Sequence, residues 1–315
     1  MTPFVYDIGL NVSFRGITRR SGILFEGPAG WAEWSPFPEY DDGEAAAWLA
    51  AALEAAELGH PEPLRDSVEV NAIVPALPPA QAAARAVAAG CRTVKIKVAA
   101  RGQGLADDIA RVAAVREALP DVALRVDANG AWSLDEAAAA MRALAGFSLE
   151  YAEQPCATVE ELAALRSLGL GVPIAADESI RRAEDPLRVR DAGAADVAIL
   201  KVQPLGGARA CLRLAEELGL PVVVSSAVET SVGLRAGVAL AAALPGLDRA
   251  CGLETGRLLA GDVVVDPLVP IDGALAVRDV APDPTLLARH RADADLTRWW
   301  LDRLERTRRI VEEQE

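Results

Sequence analysis

Eight short runs rich in β-branched residues recur between residues 68 and 254, and the stretches between them carry helical spacing. This alternation constrains the fold more than any other feature of the chain. The runs cover residues 68–74, 93–98, 122–127, 149–153, 172–177, 197–201, 222–225 and 251–254. Residues 107–119 and 208–218 place apolar side chains at the 3.6-residue period of a helix. Ser133 and Glu136 form a capping-box pair, and Gly90, Gly169, Gly193 and Gly219 stand where helices stop. Strands separated by helices pair in parallel through right-handed crossovers. Eight such units favour a closed (β/α) barrel, an α/β fold of modified TIM type, over an open doubly wound sheet. No G-x-G-x-x-G follows any of the runs, which weakens a dinucleotide-binding reading.

The flanks break the pattern. Residues 1–66 contain a strand-like start, the turn-rich segment 31–38 and one Ala-rich helix. The tail from 265 carries Pro267, Pro270, Asp272-Gly273 and a final charged helix. Neither flank holds enough apolar residues for a core of its own. The expected organisation is therefore a barrel over 67–264, with 1–66 and 265–315 joining into one α+β capping domain. The basic loop 15–22 is bounded by Gly16 and Gly22 and is predicted to be a mobile lid. It would bring Arg19 and Arg20 over the barrel mouth to the substrate.

Charge narrows the function. A net charge of −14 argues against nucleic acid and against an anionic membrane face. An anionic small molecule remains compatible if a cation gathers it locally. The first residues lack the basic and apolar regions of a signal peptide, and no apolar run approaches the ~20 residues of a membrane span. Cys91, Cys156, Cys211 and Cys251 are scattered without a CxxC pair. Free thiols in a cytoplasmic protein are the expectation.

Only Lys95, Lys97 and Lys201 are lysines among 32 basic residues, which leaves 29 arginines. Positive charge is thus written almost wholly as Arg, and a retained Lys suggests a need for an amine that can lose its proton. All three fall in predicted strands. Lys95 and Lys97 are two apart, so they share a face, and burying that face under helices would be costly.

Asp127, Glu153 and Asp177 end three consecutive predicted strands. The ends of neighbouring barrel strands meet at the catalytic face. An acid at a strand end also serves as an ordinary helix N-cap. Three acids converging there repel one another unless a cation is present. An oxygen-only set without His or Cys suits Mg²⁺, with Mn²⁺ as the alternative. The two histidines, His60 and His290, lie away from the strand ends, against a zinc or iron site. In chain order, Lys97 and Lys201 bracket the carboxylate arc, one on each side of a substrate. A carbon acid whose carboxylate meets the cation can then lose its α-proton to a neutral lysine, helped by a neighbouring cation such as Lys95.

Together, Lys95-Ile96-Lys97, Asp127-Ala128-Asn129-Gly130-Ala131-Trp132, Glu153-Gln154-Pro155, Asp177-Glu178-Ser179 and Lys201 resemble the enolase superfamily, muconate lactonizing subgroup, over nearly the whole chain. Segments 14–20, 71–76 and 225–233 are most similar to the actinobacterial o-succinylbenzoate synthase family. The resemblance implies an enolase-like barrel and cap. It also implies Mg²⁺-dependent syn dehydration of 2-succinyl-6-hydroxy-2,4-cyclohexadiene-1-carboxylate to 2-succinylbenzoate, on the route to menaquinone. Asp127, Glu153 and Asp177 would hold the metal, and Lys97 would abstract the proton and then help the hydroxyl leave. Lys201 would be a fixed cation, and Lys95 would tune Lys97 and contact the carboxylate. Ser225 and Ser226 would bind the succinyl group, and Asn129, Gln154 and Glu178 would orient the ligands. Rival readings are an N-acyl (N-succinyl) amino acid racemase or dipeptide epimerase, a muconate cycloisomerase, and a metal-binding barrel without catalysis. Dipeptide epimerases of the superfamily carry an Asp-x-Asp on strand eight, where this chain reads Gly252-Leu253-Glu254-Thr255.

Overall fold

The computed structural model describes residues 2–14, 16–182 and 185–314. The chain opens with an antiparallel sheet of β1 (Phe4–Phe14), β2 (Ile17–Gly27) and β3 (Gly30–Trp34), followed by α1 (Asp42–Leu58). The middle runs β4 (Ser67–Glu69), β5 (Ala72–Val74), α2 (Pro79–Ala89), β6 (Thr93–Lys97), α3 (Leu105–Ala118), β7 (Ala123–Asp127), α4 (Leu134–Leu144), β8 (Leu149–Glu153), α5 (Val159–Ser167) and β9 (Ile174–Ala176). It continues through α6 (Glu178–Arg181), α7 (Arg188–Asp191), β10 (Val197–Leu200), α8 (Ala208–Leu218), β11 (Val222–Val224) and α9 (Ser231–Ala243). The chain ends in β12 (Ala274–Ala276), α10 (Pro284–Arg289) and α11 (Ala294–Gln314).

Strands β5 to β11 form one parallel sheet in sequence order, the signature of successive βαβ crossovers. Its two edges meet through single-residue bridges, Ser225 to Gly252 and Cys251 to Val70. Backbone bonds Gly252 N to Val224 O (2.8 Å) and Asn71 N to Cys251 O (2.9 Å) complete the closure. The eighth predicted strand is thus reduced to a two-residue bridge before a 3₁₀ turn at Glu254–Leu258. The first predicted strand is split, because β4 turns away to pair antiparallel with β12.

Alternation along the strands sorts the core. Ala152, Ala176, Ala198, Leu200, Val222 and Val224 face the helices, whereas Tyr151, Ala175, Val197, Ile199 and Val223 cluster inside the barrel. Buried Arg125 stacks on the Tyr151 ring at 4.7 Å and bonds Glu150, Asn71 and the Ala250 carbonyl. The interior below the strand ends is therefore filled. Helix ends follow local rules. Ser133 and Glu136 make the expected reciprocal bonds at the start of α4, and Gly90 and Gly219 end α2 and α8 in the left-handed conformation.

The tail divides its loyalties. Leu268 and Leu275 pack into the barrel core, whereas α11 returns to lie on α1. Trp300 of α11 is fully buried and meets Trp34 edge-to-face at 5.4 Å, within a cluster that includes Ile23, Phe37, Trp48 and Leu49. Trp300→Ala is expected to cost about 3–5 kcal/mol in urea unfolding, because the surrounding rings cannot collapse into the space.

The predicted lid is a hairpin. Arg19 and Ser21 pair with Gly9 and Asp7 across β1 and β2, and Phe14 pairs with Ile17 at the tip. Arg15 lies outside the described residues.

Candidate active site

The C-terminal strand ends collect the predicted residues. Lys97 pairs in register with Asp127, and Asp127 with Glu153, at the last positions of β6, β7 and β8. Asp177, Lys201 and Ser225 each follow the last residue of β9, β10 and β11. Lys97 Nζ donates to Asp127 Oδ2 (2.5 Å) and Asn129 Oδ1 (2.6 Å). Lys201 Nζ donates to Asp177 Oδ2 (2.5 Å), and Lys95 Nζ to both oxygens of Glu153 (2.8 Å each), with Asp127 at 3.4 Å.

Burial and charge oppose each other here. Despite burial, Lys97 and Lys95 hold the Asp127 carboxyl well below its usual range, and Lys201 and Arg181 do the same for Asp177. Glu153 moves the other way. Burial and the Asp127 charge, with Asp177 adding, outweigh the Lys95 contact and raise it. Burial works against the Lys95 ammonium, but Glu153 and Asp127 hold it above its ordinary value. Lys95 is thus committed to the carboxylates as a counter-ion.

The orienting residues divide. Gln154 Oε1 accepts from the amides of Asp177 (2.9 Å) and Ser179 (3.1 Å), so it fixes the backbone that presents Asp177. Asn129 touches Lys97 itself and also donates to Glu178 Oε1 at 3.3 Å. Ser226 Oγ bonds the Gly252 carbonyl (2.9 Å) and Thr255 Oγ1 (2.7 Å), and Ser225 Oγ reaches the same carbonyl at 3.3 Å.

Lys95, Lys97, Asp127, Asn129, Lys201, Ser225 and Ser226 line one cavity of about 30 Å³, inside a recess of about 520 Å³ counted to its open mouth. The cap contributes Phe14, Phe37, Tyr40 and Trp48 to its walls. The closed volume has room for about one water, and the wider recess opens between the strand ends and these cap residues. Lys97 Nζ stands 5.4 Å from the Phe14 ring, so the hairpin tip reaches the site through an aromatic.

The enolase C-terminal domain-like family model matches residues 79–282, and the enolase N-terminal domain-like model matches residues 5–56. The o-succinylbenzoate synthase of Thermobifida fusca is 62% identical over 294 residues, which cover 93% of this chain and 92% of that protein. The chain belongs to the o-succinylbenzoate synthase family of the enolase superfamily. The o-succinylbenzoate synthase of Mycolicibacterium smegmatis is 55% identical over 95% of this chain and 93% of its own. Among solved structures, muconate lactonizing enzyme from Pseudomonas fluorescens, complexed with muconolactone, superposes with a TM-score of 0.79 at 23% identity. That match covers 92% of this chain and 98% of the other, and it supports the shared fold.

In this o-succinylbenzoate synthase family member, the donor set fits a hard divalent cation. Asp127, Glu153 and Asp177 are buried carboxylates without imidazole or thiolate partners, and burial first, with the charges of Asp127 and Asp177 adding, raises Glu153. As the side chains stand, no group of three His, Cys, Asp or Glu among the described residues is arranged to hold a metal. Their oxygens are bonded instead to the three lysines and to Arg181.

Sequence reasoning missed Arg181. Its guanidinium bonds Asp177 Oδ1 (2.9 Å), Glu178 Oε1 (2.5 Å) and the Tyr40 hydroxyl (2.9 Å), tying a barrel carboxylate to the cap. The available signal was the spacing, since Arg181 lies one helical turn after Asp177. The two lid arginines correct the lid expectation. Arg19 pairs with Asp7 on the outer hairpin, and Arg20 is buried against Ser35 and the Val228 carbonyl. Neither lines the cavity.

Two buried acids behind the cavity wall were also missed. Glu229 accepts the Ala227 amide on both oxygens (2.9 and 2.8 Å), and burial together with Glu33 pushes its carboxyl from 4.5 up to about 7. A folded-state value above the unfolded one gives stability that is full below about pH 4.5 and lost as pH rises through about 7. Glu229→Gln keeps an acceptor for Ala227. It is expected to flatten that slope by up to about 3 kcal/mol between pH 5 and 8, read by urea unfolding at each pH.

Proposed function

We propose that this chain is an o-succinylbenzoate synthase, converting 2-succinyl-6-hydroxy-2,4-cyclohexadiene-1-carboxylate to 2-succinylbenzoate and water. One observation carries the reading. Lys97 and Lys201 line one cavity with Asp127, and the buried Glu153 and Asp177 join it through Lys95 and Lys201, in a chain 62% identical to an o-succinylbenzoate synthase.

The chemistry follows from Lys97. A neutral amine has two N–H bonds and a lone pair. The contacts to Asp127 and Asn129 can use both N–H bonds, which leaves the lone pair for the substrate's α-proton. The C–H electrons move into the substrate's carboxylate and ring. The C–O bond to the hydroxyl then breaks, and Lys97 returns its proton to the departing oxygen on the same face. Water is released, and the ring becomes aromatic. Lys201, held by Asp177, contributes positive charge from the other end of the arc. A divalent cation held by Asp127, Glu153 and Asp177, Mg²⁺ or Mn²⁺, would supply further charge opposite the substrate carboxylate. Ser225 and Ser226, which line the cavity, would meet the succinyl arm in this reading.

The product feeds a route to menaquinone in this reading, and four buried free thiols suit the cytoplasm. Among the described residues, no helix is long and apolar enough to cross a membrane. The partner is a small carboxylate, with no role for nucleic acid or membrane. A UV assay for the aromatic product from the cyclohexadiene acid tests the function, run beside racemisation of an N-succinyl amino acid. Racemisation without aromatic product would replace this reading with the two-base alternative.

A further inference from the structure

We propose that Arg20 is a positioning residue: from the cap it clamps the 225–230 loop, so that docking of the cap shapes the wall against which the substrate lies. The inference deepens the dehydratase reading and rests on it for its substrate.

Val228 carries it. Its φ is +66°, in the left-handed region that β-branched residues avoid, and the residue borders the cavity beside Ala227 while packing in the cluster with Tyr6, Ile8 and Leu24. Such a conformation is strained and persists only where the surroundings over-determine it. The surroundings are on both sides. Arg20 Nε donates to the Val228 carbonyl at 3.1 Å, and Glu229 holds the Ala227 amide on the other flank of the same peptide pair. The rest of the Arg20 guanidinium bonds the Ser35 carbonyl and hydroxyl and lies 4.5 Å from the centre of the Phe37 ring, another wall of the cavity.

A second fastening runs parallel to the first. Glu33 on β3 accepts from the Tyr6 and Ser35 hydroxyls of the cap at 2.6 and 2.7 Å. It also accepts from the Thr230 amide (3.1 Å), the Thr230 hydroxyl (2.5 Å) and the Gly233 amide (3.2 Å), in the first turn of barrel helix α9. A cap carboxylate thus caps a barrel helix. Gly233 makes room for it, since a Cβ there would stand 2.7 Å from Glu229 Cβ and 3.0 Å from Glu33 Cδ. The cap therefore grips the second half of the loop at two points, Val228 and Thr230, and Ser35 links the two grips.

A lysine at 20 keeps the charge but lacks the planar fork that reaches Val228 and Ser35 together. Released, Val228 can relax to negative φ, which turns its peptide and moves the Ala227–Val228 wall. Lys97 and Lys201 stand on β6 and after β10 with their own partners, so the chemical step is largely spared.

The test measures dehydration kinetics and amide hydrogen exchange in the same variants. Arg20→Lys is expected to raise KM about tenfold with kcat within about threefold. Amides of residues 227–233 should exchange faster, while those of β6 to β10 keep wild-type rates. An unchanged KM with unchanged exchange overturns the proposal. So does a lower melting temperature with KM intact, which marks Arg20 as merely structural. Should Arg20→Lys not fold, Ser35→Ala removes only the hydroxyl between the two grips. It should raise KM about threefold with the same local exchange pattern, and wild-type behaviour there is equally fatal. If wild-type protein does not dehydrate this acid, the functional reading fails, while the exchange arm still decides whether Arg20 clamps the loop.

Discussion

Lys97→Ala is expected to lower kcat for dehydration by about 10⁴-fold or more, since the same amine takes the α-proton and protonates the leaving hydroxyl. The protein should stay folded. Asp127 keeps Lys95 at 3.4 Å and the Asn129 amide at 3.0 Å, so its buried carboxylate is not abandoned. Lys201→Arg is the informative companion. Arginine preserves positive charge near Asp177 but cannot cycle through a neutral base. A one-base dehydratase should retain measurable turnover, reduced about 10- to 100-fold because a guanidinium is bulkier than an ammonium in so tight a cavity. Any racemisation, which needs a base on each face, should vanish. Dehydration falling as far in Lys201→Arg as in Lys97→Ala, in folded and metal-binding protein, would show that Lys201 transfers protons.

The second large effect is metal removal. EDTA is expected to depress turnover by about 10³-fold or more, and Mg²⁺ should restore it, because the charge opposite the substrate carboxylate is worth several kcal/mol. Full activity in exhaustively stripped protein would overturn the metal assignment. Asp177→Asn separates binding from catalysis. Asp177 is buried with its two oxygens turned to Arg181 and Lys201, and the asparagine replaces one oxygen with a donor amide. Titration with Mg²⁺ by calorimetry should show affinity reduced at least about tenfold.

Much of this site was legible because its logic is local and periodic. Lys95 and Lys97 share a face two residues apart on β6, and each acid sits where a short apolar strand runs out. The capping pair Ser133 and Glu136 announces α4 within four residues. The eighth strand was harder. Residues 251–254 have strand composition, but only Cys251 and Gly252 pair, since the chain turns at once into the 3₁₀ segment that buries Glu254 against the Ile73 amide. Arg20 misled for a related reason. In the sequence it belongs to a basic glycine-flanked stretch. In the fold it occupies the strand position that points inward, and one of its partners, the Val228 carbonyl, is 208 residues away.

The sequence by itself picked out the candidate residues for the chemistry: three lysines in an arginine-rich chain, three strand-end acids, and the alternation that lines them up at one end of a barrel. Residue type and two-residue or 3.6-residue periods are properties of short segments, so they survive without knowledge of what packs on them. Only the tertiary structure decided how the cap meets that barrel. Glu33 reaches 197 residues along the chain to cap α9, Arg181 joins Asp177 to Tyr40, and Arg20 holds Val228 in a conformation it would not adopt alone. Those contacts depend on the approach of two layers that neither segment encodes separately. A buried charge chooses its partner from whatever the packed interface presents.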